Sequence, residues 1–500
     1  MSSFFKYFVV ASFVAFLSII FQAWRENNSL SKLTLILQLQ IQLESNHKIL
    51  GATDQKIVVA YGSCSDLTVK AIDFLNYTEN LAGFEARDDF DDDEIKTFDE
   101  FMKSFMFYFT RGAAAERSTP NKELFLSLVA TAKKAGRWEL GGNAPVMGIR
   151  FYLEGAKVLI ASTMSKKQRS HLPEGIDVTE FEPSEDFIDD IHLILEYKTG
   201  DRFGEFVAPR ANRYILHSDA NNPMITSLEL LNVNQHQPKL FVVAGLQMLD
   251  NYPFKSASVR TERLQGVRNQ MTSADSSTLI HFEMASFVEI ELLQELLKTV
   301  IPYSDSIGMN EQEVDNIVNV LEKGKISLSA DSNPRVASTL DQMRKVLRSA
   351  NKNFFANRNS DKNLRQLSRI HIHTLAFQLL LNVKGSKWQN IKNAAAKSSL
   401  TAHRHVCQTS YVNPENANLI LDSSFSTSTE PETERGDSRP KRIDIKPDDP
   451  VPCWNETIKI DANNSLDVEI CVSPVLVCKD ARKTVGAGDN ISAAGLVLQI

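Results

Sequence analysis

Gly486-Ala487-Gly488-Asp489 is the stretch whose residue types and spacing most suggest chemistry. Two glycines where a loop turns into a helix let backbone N–H groups approach one anion and point at it. A carboxylate among those groups cannot serve to bind phosphate, because like charges repel. It makes sense as a base that takes a proton from an alcohol while the N–H groups hold an incoming phosphoryl group. The plainer reading is a glycine turn with Asp489 as helix cap. Other residues of suitable type are Asp66 just past a buried run, Glu116 closing Gly112-Ala113-Ala114-Ala115-Glu116-Arg117, and Asn143 in Gly141-Gly142-Asn143-Ala144. Carboxylates and amides of this kind supply the acceptors and donors that sugar hydroxyls need. His281-Phe282-Glu283 sits on a strand pattern, and Glu311 opens a helix where an acid is favourable with or without a function. His371 and His373 alternate and so share a face, but two histidines alone are weak evidence for a metal. Arg213 is either a surface charge or a phosphate ligand.

The elements that must position these residues read as buried strands alternating with helices. Short apolar runs occur at 56–62, 191–197, 240–245, 279–285 and 473–478, and a helix rich in small residues follows Asp489. The last helix is short, so Ile491, Leu496 and Leu498 must pack it against the sheet. This alternation predicts an α/β fold with a mainly parallel sheet. Residues 423–450 are polar and poor in large apolar side chains, which predicts a disordered surface loop.

Composition bounds the rest. Five hundred residues, 43% hydrophobic and 23% charged, are enough for a large core. A net charge of -7 leaves no electrostatic footprint for nucleic acid. Five scattered cysteines without a C-x-x-C exclude a disulfide framework and a common zinc site. Their odd number leaves at least one free thiol, and an oxidising compartment would allow one disulfide among the late cysteines. Residues 4–24 form an apolar run long enough to cross a bilayer, read as a secretory signal (1–24) that is cleaved or stays as an anchor. This reading places the protein in the endoplasmic reticulum lumen, on its membrane facing the lumen, or outside the cell. Sequons at Asn27, Asn76, Asn455 and Asn463 suit that address, and a fifth at Asn490 lies inside the glycine motif. An amphipathic helix is expected within 25–54, ahead of a main unit spanning 55–500.

Taken together and in order, Gly141-Gly142-Asn143-Ala144, His281-Phe282-Glu283, Gly308-Met309-Asn310-Glu311, Arg369-Ile370-His371-Ile372-His373-Thr374 and Thr484-Val485-Gly486-Ala487-Gly488-Asp489 closely resemble the ADP-dependent glucokinases, the animal form above all. The resemblance implies a ribokinase-like α/β fold: a large, mainly parallel sheet covered by helices, plus a small strand-rich lid from discontinuous segments within about 80–235. It implies transfer of the β-phosphoryl group of ADP to the 6-hydroxyl of D-glucose with Mg²⁺, by a monomer. By matching motif, Asp489 would be the general base, and Gly486, Ala487 and Gly488 the anion hole. Asp66, Glu116, Gly142 and Asn143 would hold the sugar. Arg213 would hold the ADP phosphates, with His373 and Cys478 near the adenosine. Glu283, Glu311 and Asp489 would organise the metal. Asn143 stands where archaeal relatives often have glutamine, which shortens its reach. A glutamate at 116 goes with glucose, because it would repel the phosphate of fructose 6-phosphate. The alternatives are a kinase using ATP or fructose 6-phosphate, and a catalytically silent sugar- or nucleotide-binding relative.

Overall fold

The computed structural model describes residues 18, 29–45, 55–76, 94–185, 187–327, 334–429 and 440–500. Its centre is a ten-stranded sheet. Seven neighbouring strands run parallel: Ile176–Val178, Lys157–Ala161, Lys56–Ala60, Leu240–Val243, Leu279–Glu283, Ser306–Met309 and Arg369–His373. Three antiparallel strands, Phe377–Val383, Ser465–Pro474 and Cys453–Lys459, extend one edge. The central strands are apolar at nearly every position because helices cover both faces. Val58, Ala60, Phe241 and Val243 enter the core on one side. Ile57, Val59, Leu240 and Val242 enter the core on the other.

A second, five-stranded sheet stands beyond the C-terminal ends of the parallel strands. Its order is Ala115–Ser118, Asn212–His217, Ile191–Tyr197, Cys64–Lys70 and Arg137–Gly141. The helices Phe98–Arg111 and Lys122–Ala132 back it, with Phe101, Phe105, Phe109 and Phe125 in its own core. This is the lid. It begins at Cys64, ahead of the expected boundary near 80, because Asp66 lies on a lid strand and not in a turn. The chain crosses from large sheet to lid through Gly62, whose φ of +75° suits glycine.

The expected disordered loop at 423–450 is corrected at its two described ends, 423–429 and 440–450. Phe425, Ile443 and Ile445 are buried in the main core, and Ile443 N–H donates to the Phe425 carbonyl. Asp341 accepts from the Ser428 hydroxyl at 2.6 Å and from Thr429 N–H at 2.7 Å. A few apolar residues and side-chain bonds hold these two ends, which a composition average hides. Residues 430–439 lie outside the described residues.

The cysteines are a second correction. Two disulfides form, Cys407–Cys478 and Cys453–Cys471, and Cys64 is free and buried. The second links directly opposed residues of neighbouring strands.

The apolar run at 4–24 lies outside the described residues, Ser18 apart. Among the described residues no helix is long and apolar enough to cross a membrane. The expected N-terminal helix occupies 29–45 and is docked. Leu33, Ile36 and Leu37 join the main core. Fully buried Gln40 donates to the Ser473 hydroxyl and the Pro474 carbonyl. Glu44 pairs with Arg404 at 2.8 Å and with Lys397 at 3.3 Å. Burying each such aliphatic side chain stabilises by about 1.5–3 kcal/mol. A chain starting at residue 28 is therefore expected to unfold as the full chain does. One starting at residue 51 should melt at least about 5 °C lower or fail to fold. Equal melting midpoints by calorimetry would show that the helix contributes nothing.

Candidate active site

The C-terminal ends of the parallel strands, the lid sheet and three helix N-termini enclose one cavity. It is lined by Asp66, Glu116, Gly142, Asn143, Arg213, Glu283, Glu311, His373 and Gly486 to Asp489, but not by His281, His371 or Cys478. The Cys478 sulfur is instead bonded to Cys407, which corrects its expected place beside a nucleotide.

Asp489 lies in the first turn of the helix Ala487–Leu496, which starts after Gly486 at φ +68°. Ile491, Leu496 and Leu498 are buried as expected, and Gln499 adds a bond from Arg369 Nε at 2.6 Å. Asn143 donates to Asp489 at 2.9 Å, and its own carbonyl accepts from Gln247 at 2.9 Å. Burial first, and then the charge of Glu283, push the Asp489 carboxyl up to about 7.

Behind Asp489 sits Glu283, at the end of its strand and 2% exposed. Its carboxylate accepts from His281 at 2.7 Å, His373 at 2.8 Å and the Ser492 hydroxyl at 2.5 Å. Burial alone would raise its proton affinity. The bonds from His281 and His373 outweigh burial and hold it well below the usual carboxylate range. Gly308 makes room: a Cβ there would stand 2.2 Å from Glu283 Oε2. His371, one of the alternating pair, bonds Gln378 and belongs to the packing.

Along the same wall, Glu311 pairs with Arg210 at 2.8 Å. Glu313 closes a capping box with Asn310, and burial raises it to about 7. Arg213 lines the cavity with its Nε buried and unpartnered, as an anion ligand would be.

At the lid end, Asp66 and Glu116 face His192. Burial lifts Asp66 to about 6. The backbone of Gly141 passes so close that a Cβ there would meet Asp66 Oδ1 at 2.0 Å. Burial disfavours a charged His192, but Asp219 at 3.1 Å, with Glu116 and Asp66, outweighs it and lifts the imidazole to about 10. The lid grips the glycine loop through Glu196, which accepts from Thr484 N–H at 2.8 Å, and through the ion pair Lys483–Glu139.

Sequence reasoning missed His192, Gln247, Arg210, Glu313 and Glu196. A histidine inside the apolar strand Ile191–Tyr197 was a readable signal. Gln247, in a short 3₁₀ turn, offered none.

Residues 55–498 match the model of the ADP-specific phosphofructokinase/glucokinase conserved region. The chain belongs to that family. It is 30% identical over 451 residues to the ADP-dependent glucokinase of Bos taurus, covering 88% of this chain and 84% of that one. It is 26% identical over 467 residues to a probable ADP-dependent glucokinase of Caenorhabditis elegans, covering 89% and 86%. Among solved structures it resembles an ADP-dependent kinase complex with fructose-6-phosphate and ADPβS. The TM-score is 0.63 at 17% identity, covering 92% of this chain and 96% of that one. The fold is the ribokinase-like α/β fold of the family, with a large, mostly parallel sheet.

Proposed function

We propose that the protein transfers the β-phosphoryl group of ADP to the 6-hydroxyl of D-glucose, giving glucose 6-phosphate and AMP. The observation that carries this is the placement of half-buried Asp489 beside the backbone of Gly486–Gly488, in a cavity that Asp66 and Glu116 of the lid also line. The likeness to named ADP-dependent glucokinases along most of the chain supports it.

The chain's own residues divide the work. Asp66, Glu116, Asn143 and charged His192 offer acceptors and donors that suit sugar hydroxyls. The two carboxylates disfavour a sugar that already carries a phosphate. The helix N-terminus and the N–H groups of Gly486, Ala487 and Gly488 suit the transferring phosphoryl group, and Arg213 the ADP phosphates. Asp489, poised near 7, takes the hydroxyl proton as the bond to phosphorus forms. The lid excludes water, the competing acceptor.

Four carboxylates, Glu283, Glu311, Glu313 and Asp489, share one wall. Glu283 and Glu311 add to the burial that raises Glu313. This surplus of negative charge on hard oxygen donors suits Mg²⁺. Both oxygens of Glu283 and both of Glu313 already accept hydrogen bonds, so Glu311 and Asp489 would hold the ion, in part through water, with Glu283 supporting through His373. Bound Mg²⁺ would neutralise charge on the phosphoryl oxygens. His373 stays near the nucleotide end as the residue that Gly488 packs against.

Two disulfides support an oxidising compartment, in keeping with the lumenal or extracellular address read from residues 4–24. The sequon at Asn490 is not part of that argument: its amide is bonded on both sides and Ser492 is buried.

Replacing Asp489 with alanine should lower kcat by about 10²- to 10⁴-fold while the protein still binds glucose. A variant that keeps most of its turnover would remove Asp489 from the role of base. Glucose binding itself should depend on pH through Asp66. A carboxyl raised to about 6 gains its proton as pH falls through 6 and then loses much of its acceptor strength. Calorimetric titration should show affinity falling by roughly tenfold from pH 7 to pH 5. A flat profile would mean that Asp66 does not contact the sugar as a carboxylate.

A further inference from the structure

Gly486 is held from behind. The Asn490 side-chain amide donates to the Gly486 carbonyl at 2.9 Å, beside the helical bond from Asn490 N–H at 3.1 Å. The amide's oxygen accepts from Arg150 Nε at 3.1 Å. An amide can present either end, whereas a guanidinium only donates, so Arg150 fixes which end of Asn490 faces Gly486.

Arg150 lies on the helix Asn143–Leu153, the one that also supplies Asn143. Its own aim is set by Glu154 at 3.3 Å. Glu154 pairs with Lys397 at 2.7 Å. Lys397, 3% exposed, pairs in turn with Glu44 at 3.3 Å, and Glu44 also takes both nitrogens of Arg404 at 2.8 and 3.0 Å. The next residue, His405, donates from Nε2 to the Val485 carbonyl at 2.8 Å. Burial pushes that imidazole down to about 4, so the ring is neutral and keeps one N–H for this bond. The Val485 and Gly486 carbonyls are thus each pinned by a side chain, and the one that holds Gly486 is backed, through Arg150, Glu154 and Lys397, by Glu44. Glu44 belongs to the 29–45 helix, which precedes the residues 55–498 that match the family.

We propose that Arg150 and Asn490 are positioning residues that aim the anion hole, and that Glu44 of the N-terminal helix braces them through Lys397 and Glu154. The proposal rests on the phosphoryl-transfer reading for its kinetic consequence and on geometry alone for its structural one. Rotating the Gly486 carbonyl would turn the N–H groups that follow it, and misplacement by about 1 Å is worth up to roughly 10²-fold in rate. The ion pairs are largely buried, so removing one partner leaves the other uncompensated rather than solvated.

The test uses the full chain with Arg150→Ala, Asn490→Ala, the double substitution and Glu44→Ala. Hydrogen exchange of the backbone amides at 486–490 is followed alongside ADP kinetics and glucose binding. Arg150→Ala should speed exchange there by about tenfold or more, as expected for local opening made easier by roughly 1.4 kcal/mol. It should lower kcat/KM for ADP by about tenfold and leave the glucose Kd unchanged. The double substitution should lose no more than the larger single one, because the two residues act as one unit. Glu44→Ala should show the same pattern at about two- to fivefold. Unchanged exchange at 486–490, or additive losses in the double variant, would overturn the clamp. A Glu44→Ala protein that loses thermal stability with no change at 486–490 would overturn the brace. A wild-type chain that turns over no ADP with glucose would sink the proposed reaction instead, while the exchange data would still judge the clamp.

Discussion

Glu283 is the charge on which the site is built. It is an ionised carboxylate almost without solvent, and such a group persists only when donors saturate it. His281, His373 and Ser492 do so from three different segments: its own strand, the strand Arg369–His373 and the helix Ala487–Leu496. Its coordination therefore fixes the spacing between two strands and the helix that carries Asp489. The backing extends one layer deeper. Ser306 bonds His281 Nδ1 at 2.8 Å and accepts from buried Arg369 at 3.0 Å. Arg369 can only donate, so Ser306 accepts from it and turns its proton toward His281. His281 then keeps its Nε2 proton for Glu283. Asp489 feels the result: a fixed negative charge nearby, added to burial, keeps its own proton affinity near neutrality.

The opposite end of the cavity uses the same device with the sign reversed. His192 is a buried cation held by Asp219 and flanked by Glu116 and Asp66. Each sheet thus contributes one buried charge held by groups of opposite sign. The two halves meet at the loop before Gly486, where Glu196 and Glu139 of the lid hold Thr484 and Lys483. The glycine loop and the lid are tied together at that point.

Much of this was legible in the residues. The glycines and Asp489 announced a turn from loop into helix, and alternating apolar runs announced a parallel sheet, because both follow from local chain geometry. Gly308 and Gly141 are each needed because a carboxylate occupies the space of its missing Cβ. That is a tertiary fact with no local trace. The lid's first strand went unread because Cys64–Lys70 follows the first core strand after three residues, too closely to suggest a change of sheet. The ends of 423–450 misled through the segment's average composition, since buried Phe425, Ile443 and Ile445, with bonds to Asp341, hold 423–429 and 440–450 in place. Cys478 was drawn toward the nucleotide by its neighbours in sequence, while its side chain points to Cys407.

The central claim is that a phosphoryl group passes from ADP to a sugar hydroxyl in this cavity. It is tested most directly by phosphorus NMR of the purified full chain incubated with Mg²⁺, ADP and D-glucose. Glucose 6-phosphate and AMP should appear in equal amounts, with little inorganic phosphate, and fructose 6-phosphate in place of glucose should give no bisphosphate. ADP left intact, or AMP formed with inorganic phosphate and no sugar phosphate, would contradict the account.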